Sequence, residues 1–327
     1  MHQKLVSVII PTYNRAKLVV EAIKSVKAQS YPAIQIIVID DGSQDDTAES
    51  VAEFENVEYY YQENKGQGAA RNLGLNYAKG EYIASLDSDD IWHGDFLKVA
   101  VAALERFQAD FVFLNWTEIS ETKQSRSNWE QSKSWKKYCN NLDGEWSSLN
   151  AREIRKLFIQ TCPAPSSALL IRRSSFVSCW NEDMKIADDW CLILEMVISK
   201  PCRAAFTLSP YWTKRVDKSN IYHGRNQLEV IRDLGLHDEP LVIQRFQEQL
   251  SFTEKSILYK RLASNHFNFG RLNWRRDGFS LESLRSIATA FTLAPVSSIF
   301  YMTKLSFYYL KNRYRIVRDK NKQTREI

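Results

Sequence analysis

What most constrains this chain is an alternation across residues 6–90: short β-branched runs that end in polar clusters, each followed by a stretch with helical spacing. Residues 6–10 form such a run, closed by Pro11, and Leu18, Val19, Ala22, Ile23 and Val26 then recur at helical spacing until Tyr31 and Pro32 end the helix. Residues 34–39 are almost wholly apolar, as expected of a strand buried on both faces, and Asp40-Asp41-Gly42-Ser43 follows as a turn. Asp45 or Asp46 is placed to cap a helix reaching Phe54. Residues 57–61 read as a third strand, 66–78 as a loop entering a helix, and 82–86 as a fourth strand ending in Asp87-Ser88-Asp89-Asp90. Strands alternating with helices predict a parallel sheet with right-handed crossovers, whose ligands sit beyond the carboxyl ends of the strands. The polar clusters fall at those ends.

Further along, 111–116 and 167–171 are expected to extend the sheet, and the stretch 118–150, rich in Ser, Lys and Trp, reads as mostly surface loop over an acceptor site. From about Arg225 the pattern is helical, with 258–272 and 281–293 forming a hairpin around Asp277-Gly278 and Pro295 punctuating before a last segment at 297–317. One such hairpin without further copies is packing, not a repeat array. The expected division is 1–224 as an α/β domain and 225–327 as a helical extension with a basic tail, consistent with about two domains for 327 residues.

Five cysteines, odd in number and without metal-ligand spacing, argue against a disulfide framework or a zinc site and favour a reducing cytoplasm. The opening residues are too short and strand-like for a signal peptide, and the sequon at Asn115 is read as chance. The net charge of +5 resides in 311–327, with seven Lys/Arg against two Asp/Glu, so the rest is neutral and nucleic acid is not an expected partner. Between Arg285 and Lys304 there is no charge, and the aromatic-rich apolar stretch 299–310 before that tail suits peripheral docking on an anionic membrane face, with a helix packed on the protein as the alternative.

The sharpest chemistry is at Asp87, Asp89 and Asp90. Crowded carboxylates repel unless a cation is present, and Mg²⁺ or Mn²⁺ favours carboxylate and phosphate oxygens together, so a nucleotide diphosphate with a divalent metal satisfies both. An acidic helix-capping turn is the plainer reading. Asp40-Asp41 invites comparison with dinucleotide-binding folds, yet the loop after the first strand, Pro11-Thr12-Tyr13-Asn14-Arg15, has no glycine, which counts against an NAD-linked oxidoreductase. At 64–72, Gly66 and Gly68 open a helix where the backbone is approachable, and Arg71 is placed to hold phosphate or an acidic neighbour, without the Gly-Lys-Ser/Thr of a P-loop.

These pieces together resemble the family-2 glycosyltransferases of the GT-A fold, through Val6–Asn14 (VSVIIPTYN), Ile37–Ser43 (IVIDDGS), Asn64-x-Gly66 with Ala70-Arg71-Asn72, and Asp87-x-Asp89-Asp90. The resemblance covers about the first two thirds of the chain, with a nucleotide-sugar half at about 1–117 and an acceptor half at about 118–224. It implies an inverting transferase moving a sugar from a nucleotide diphosphate, most often UDP, to a hydroxyl of a glycan or lipid-linked acceptor. By the same resemblance Pro11, Thr12, Tyr13 and Asp41 bind base and ribose, Asp87 lies near ribose and metal, and Asp89 is the main ligand to Mn²⁺ or Mg²⁺. The base falls at Asp189, with Asp188 where the family often has Glu; an ordinary helix amino-terminus explains the same pair, and the two readings are compatible. Two departures stand out: Glu195 where relatives often carry Arg, and Asp217 in Arg215-Val216-Asp217 where many show His, with His223 as a substitute. Two alternatives are a nonenzymatic binder of sugar nucleotide or glycan, which would be expected to have lost a carboxylate, and a nucleotidyltransferase, which would carry a Gly-rich basic first loop.

Overall fold

The computed structural model describes residues 3–120, 123–126, 135, 137–139, 142–216 and 225–303. The chain divides into two compact units, Met1–Arg225 with Arg245–Leu250, and Asn226–Gln244 with Ser251–Ile327.

The first unit is built on a ten-stranded sheet. Strands β1 (Val6–Thr12), β2 (Ile34–Asp40), β3 (Val57–Tyr61) and β4 (Tyr82–Ser85) lie in the order β3-β2-β1-β4, all parallel. The crossovers are α1 (Ala16–Lys27), α2 (Thr47–Ala52) and α3 (Gln67–Tyr77). Every residue of β1 is buried, as a central strand covered on both faces must be. Pro11 does not close this strand but lies within it, opposite Ile39. At the start of α2 Asp46 holds the capping position without a side-chain bond, while Asp45 accepts from the N–H of Ala16 at 3.0 Å and of Thr47 at 3.2 Å.

Beyond β4 the sheet becomes mixed. After the short β5 (Ile91–Trp92) and α4 (Phe96–Arg106) come β6 (Phe111–Ser120), β7 (Lys123–Arg126), β8 (Trp146–Leu149) and α5 (Ala151–Gln160). Then follow β9 (Leu169–Arg172), α6 (Asp188–Ser199) and β10 (Ala204–Arg215). Strand β9 is antiparallel to both β4 and β6, and β10 runs parallel to β6. The stretch expected as surface loop is in part core: Trp135 is buried with its ring 5.0 Å from Phe206 and 5.9 Å from Phe113, and Trp146 and Leu149 are buried on β8. Each buried Trp removes a large apolar area from water, which favours a core position even among polar neighbours that stay exposed.

The second unit is helical. Its centre is a hairpin of α7 (Phe252–Asp277) and α8 (Leu281–Leu293), begun by a capping box at Ser251 and Glu254 and turned at Gly278. Ala263, Phe267, Ala290 and Ala294 form its core, with Tyr301 packed against them. Pro295 opens a further helical stretch, 295–303, rather than merely ending one. No helix among the described residues is long and apolar enough to cross a membrane.

Candidate active site

The carboxyl ends of β1, β2 and β4 form the floor of the site. Where β1 leaves the sheet, Thr12 is buried, Tyr13 is exposed and Asn14 takes a positive φ of 51°. Asn14 is held by its N–H to Ser43 Oγ at 2.8 Å and by its Oδ1, which accepts from Gln44 N–H at 2.8 Å, so the loops after β1 and β2 are stitched together. Asp41 is buried and latched: Oδ1 accepts from Gln62 Nε2 at 2.6 Å and Lys65 N–H at 2.8 Å, and Oδ2 accepts from Gly66 N–H at 2.8 Å. The backbone at Gly66, where φ is 90°, thus serves Asp41.

Asp87, Asp89 and Asp90 each offer an oxygen within 4.8 Å of the others. Arg15, from the loop after β1, pairs with Asp89 at 3.0 Å. Ser167, just before β9, accepts from Asp87 N–H at 3.1 Å and donates to Asp90 Oδ2 at 2.7 Å, tying the cluster at both ends. Burial, reinforced by Asp89 and Asp87, raises the Asp90 carboxyl to about 8. Among buried polar atoms without a hydrogen-bond partner, Thr12 Oγ1, Ser88 Oγ, Asp90 Oδ1 and Ser166 Oγ all belong to segments at this end of the sheet. Native proteins rarely leave such atoms unpaired without a reason. Three crowded carboxylates with an unpaired buried oxygen fit a hard divalent cation.

Arg71 joins this cluster to a second one. Its side chain is 2% exposed, NH2 pairs with Asp87 at 2.6 Å, Nε donates to Ser85 Oγ at 3.2 Å, and NH1 pairs with Asp188 at the start of α6. Burial alone would pull the guanidinium down, but Asp188, Asp87 and Asp189 outweigh it and hold it above the usual arginine value. Arg71 therefore takes the acidic neighbour of its two expected ligands. Asp188 is fully buried and also accepts from Gln67 Nε2 at 2.6 Å. Asp189 is only half-buried; its Oδ2 accepts from Ser166 N–H at 3.0 Å, and burial first, then Asp188, pushes its carboxyl to about 7. One carboxylate of the pair is locked in an ion pair while its neighbour titrates near neutrality, the arrangement suited to a proton acceptor.

Ser166, Ser167, Gln67, Arg15 and Lys214 were not singled out from the sequence as site residues, since nothing in their spacing marks them. Trp180, Trp190 and Trp212 are all buried, so none of them offers an open face for a sugar to stack on. Asp217 and His223 lie outside the described residues. Glu195 pairs with Arg245 at 2.8 Å, so a cation does meet this helix.

A model of the family "Glycosyl transferase family 2" matches residues 7–180, just over half of the chain. An uncharacterised glycosyltransferase of Rickettsia felis is 32% identical over 196 residues, covering 59% of this chain and 30% of that protein. The Escherichia coli enzyme WfgD, a UDP-Glc:α-D-GlcNAc-diphosphoundecaprenol β-1,3-glucosyltransferase, is 37% identical over 123 residues, covering 37% of this chain and 49% of the enzyme. The chain thus spans less than half the length of these relatives. Among solved structures, S. aureus TarS 1–349 in complex with UDP-GlcNAc superposes with a TM-score of 0.65 at 20% identity, covering 88% of this chain and 79% of that one. The mannosyltransferase PcManGT of Pyrobaculum calidifontis, in complex with GDP-Man and Mn²⁺, gives 0.57 at 19%, covering 96% and 83%. At such identities these two establish the fold alone, which is GT-A-like. The family match, which opens within β1 and runs past the Asp87–Asp90 cluster, carries the assignment: the chain belongs to glycosyltransferase family 2.

Proposed function

We propose that this protein is an inverting, metal-dependent glycosyltransferase that moves a sugar from a UDP-linked donor to a hydroxyl of a glycan or lipid-linked acceptor in polysaccharide or glycoconjugate synthesis. The observation that carries the reading is the pairing of a metal-capable carboxylate cluster with a second, near-neutral carboxylate across one buried arginine. Pro11, Thr12, Tyr13 and Asp41 sit at the strand ends where base and ribose would bind, and the unpaired Thr12 Oγ1 suits such a ligand. The cation held by Asp89 and Asp87 would supply Lewis-acid stabilisation of the departing diphosphate. In this mechanism Asp189 accepts the acceptor hydroxyl proton as its oxygen attacks the anomeric carbon, and the Arg71–Asp188 pair fixes Asp189 relative to Asp87. WfgD's lipid-linked substrate supports the lipid-linked acceptor class.

A cytoplasmic location suits five cysteines, none of them in a disulfide. Peripheral contact with an anionic membrane is the reading we give to the exposed apolar face of 295–303 and the basic residues beyond it.

The test is a panel of nucleotide sugars, each with and without Mn²⁺, scored for thermal stabilisation and slow donor hydrolysis. UDP-sugars are expected to stabilise and to be hydrolysed only with metal. Stabilisation without turnover by any donor would favour a nonenzymatic binding relative, and no response to any nucleotide would overturn both.

A further inference from the structure

Strand β10 supplies a cation, Lys214, whose charged neighbours are the carboxylates of the cluster. The strand pairs antiparallel with β5 in the register Trp212↔Trp92 and Thr213↔Ile91, so Lys214 follows directly on the pair that adjoins Asp90, the last carboxylate of the cluster. Its neighbour Arg215 is engaged elsewhere, pairing with Glu21. Lys214 is half-buried, with Nζ 5.9 Å from the Trp212 ring, and Trp212 is anchored by its Nε1 donating to Leu114 O at 2.9 Å. The lysine stem therefore lies along a fixed aromatic wall rather than swinging in solvent.

Burial lowers the affinity of this ammonium for its proton, but Asp90, Asp87, Asp89 and Asp189, in that order, outweigh it. The same four carboxylates define the metal cluster and the candidate base, so the ammonium lies in the field of both. A divalent cation entering the cluster would repel this lysine, whereas a diphosphate arriving with the cation would attract it, because the oxygens not taken by the metal carry charge that an ammonium can meet. We propose that Lys214 is a donor-binding residue that contacts the diphosphate of the nucleotide sugar.

This inference rests on the nucleotide-sugar reading above, and titration calorimetry of the full chain separates the two. Uridine, UDP and Mn²⁺ alone are titrated into the parent, Lys214→Met and Lys214→Arg. If the parent does not bind UDP with Mn²⁺, the nucleotide-sugar reading itself fails. If it does, Lys214→Met is expected to weaken UDP by about 10-fold or more, the order expected for one charge-assisted hydrogen bond. Uridine affinity should be unchanged, Mn²⁺ alone should bind no more weakly, and Lys214→Arg should restore most of the UDP affinity. Equal losses for uridine and UDP would mean a structural role, a loss of Mn²⁺ binding would mean support of the cluster, and unchanged UDP affinity would mean no contact; each overturns the proposal. Should Lys214→Met fail to fold, Lys214→Gln carries the same comparison.

Discussion

At the scale of single residues the site separates two carboxylates by their environment. Asp89 meets Arg15 and sits in a triad whose mutual repulsion a divalent cation relieves, so Asp89→Ala should remove the Mn²⁺-dependent part of UDP affinity while leaving the fold intact. Calorimetry with and without Mn²⁺ checks this, and an unchanged metal dependence would move the ligand role to Asp87 and Asp90. Asp189 should behave oppositely: Asp189→Asn is expected to bind donor like the parent yet lose roughly 100-fold or more in turnover, the usual cost of losing a general base. Its raised value also gives a pH signature. A base works only when deprotonated, and burial with Asp188 places that step at about 7, so kcat/KM should climb about tenfold per pH unit below 7 and level above it. A flat profile between pH 5.5 and 8 would remove Asp189 from the role.

At the scale of elements, packing decides what could be read in advance. Strands β1, β2 and β4 were legible because a strand covered on both faces must be a continuous apolar run, and the half-buried edge strand β3 because β-branched and aromatic residues stand between turn signals. Strand β10 was not: its ladder with β6 shifts register twice around Pro210, so its sequence never alternates cleanly, and Lys214 went unnoticed with it. Trp135 and Trp146 were hidden for another reason, being isolated aromatics among polar residues that bury one at a time. In the site, the carboxylates stood out because they cluster in sequence, whereas Ser167, Gln67 and Ser166 reach them only through tertiary apposition. Within α3, Gly74 is set by packing. A Cβ on Gly74 would lie 2.4 Å from Ile9 Cγ2, so this glycine is required by the close seat of α3 on β1. Gly74→Ala should gain up to about 1 kcal/mol of helix propensity but lose about 1–3 kcal/mol to overpacking, a net fall in the urea midpoint. A variant as stable as the parent would show that α3 can shift away from β1 at no cost.

At the scale of the whole molecule the notable asymmetry is in charge and exposed apolar area. The formal net charge of +5 is matched by 311–327 alone, which lies outside the described residues. Within the helical stretch 295–303, Ser298 is buried and Tyr301 packs against Phe267, while Val296, Ile299 and Phe300 are 81%, 56% and 63% exposed. Their spacing of three and four residues puts them on one helix face, turned away from the core. An apolar face followed by a basic run matches what an anionic bilayer offers, apolar depth beneath negative headgroups, at about 1 kcal/mol for each Lys or Arg near the surface. The full chain should therefore float with vesicles containing phosphatidylglycerol or phosphatidylserine and not with phosphatidylcholine alone. Because the Debye length shrinks to about 3 Å at 1 M salt, high salt should release it. Removing 304–327 should abolish flotation, and Phe300→Ser with Ile299→Ser should weaken it without lowering the melting temperature, since both side chains are largely exposed. If instead the double variant melts earlier and the intact chain ignores anionic vesicles, the face is covered by protein, and the acceptor must then reach the enzyme without help from membrane docking.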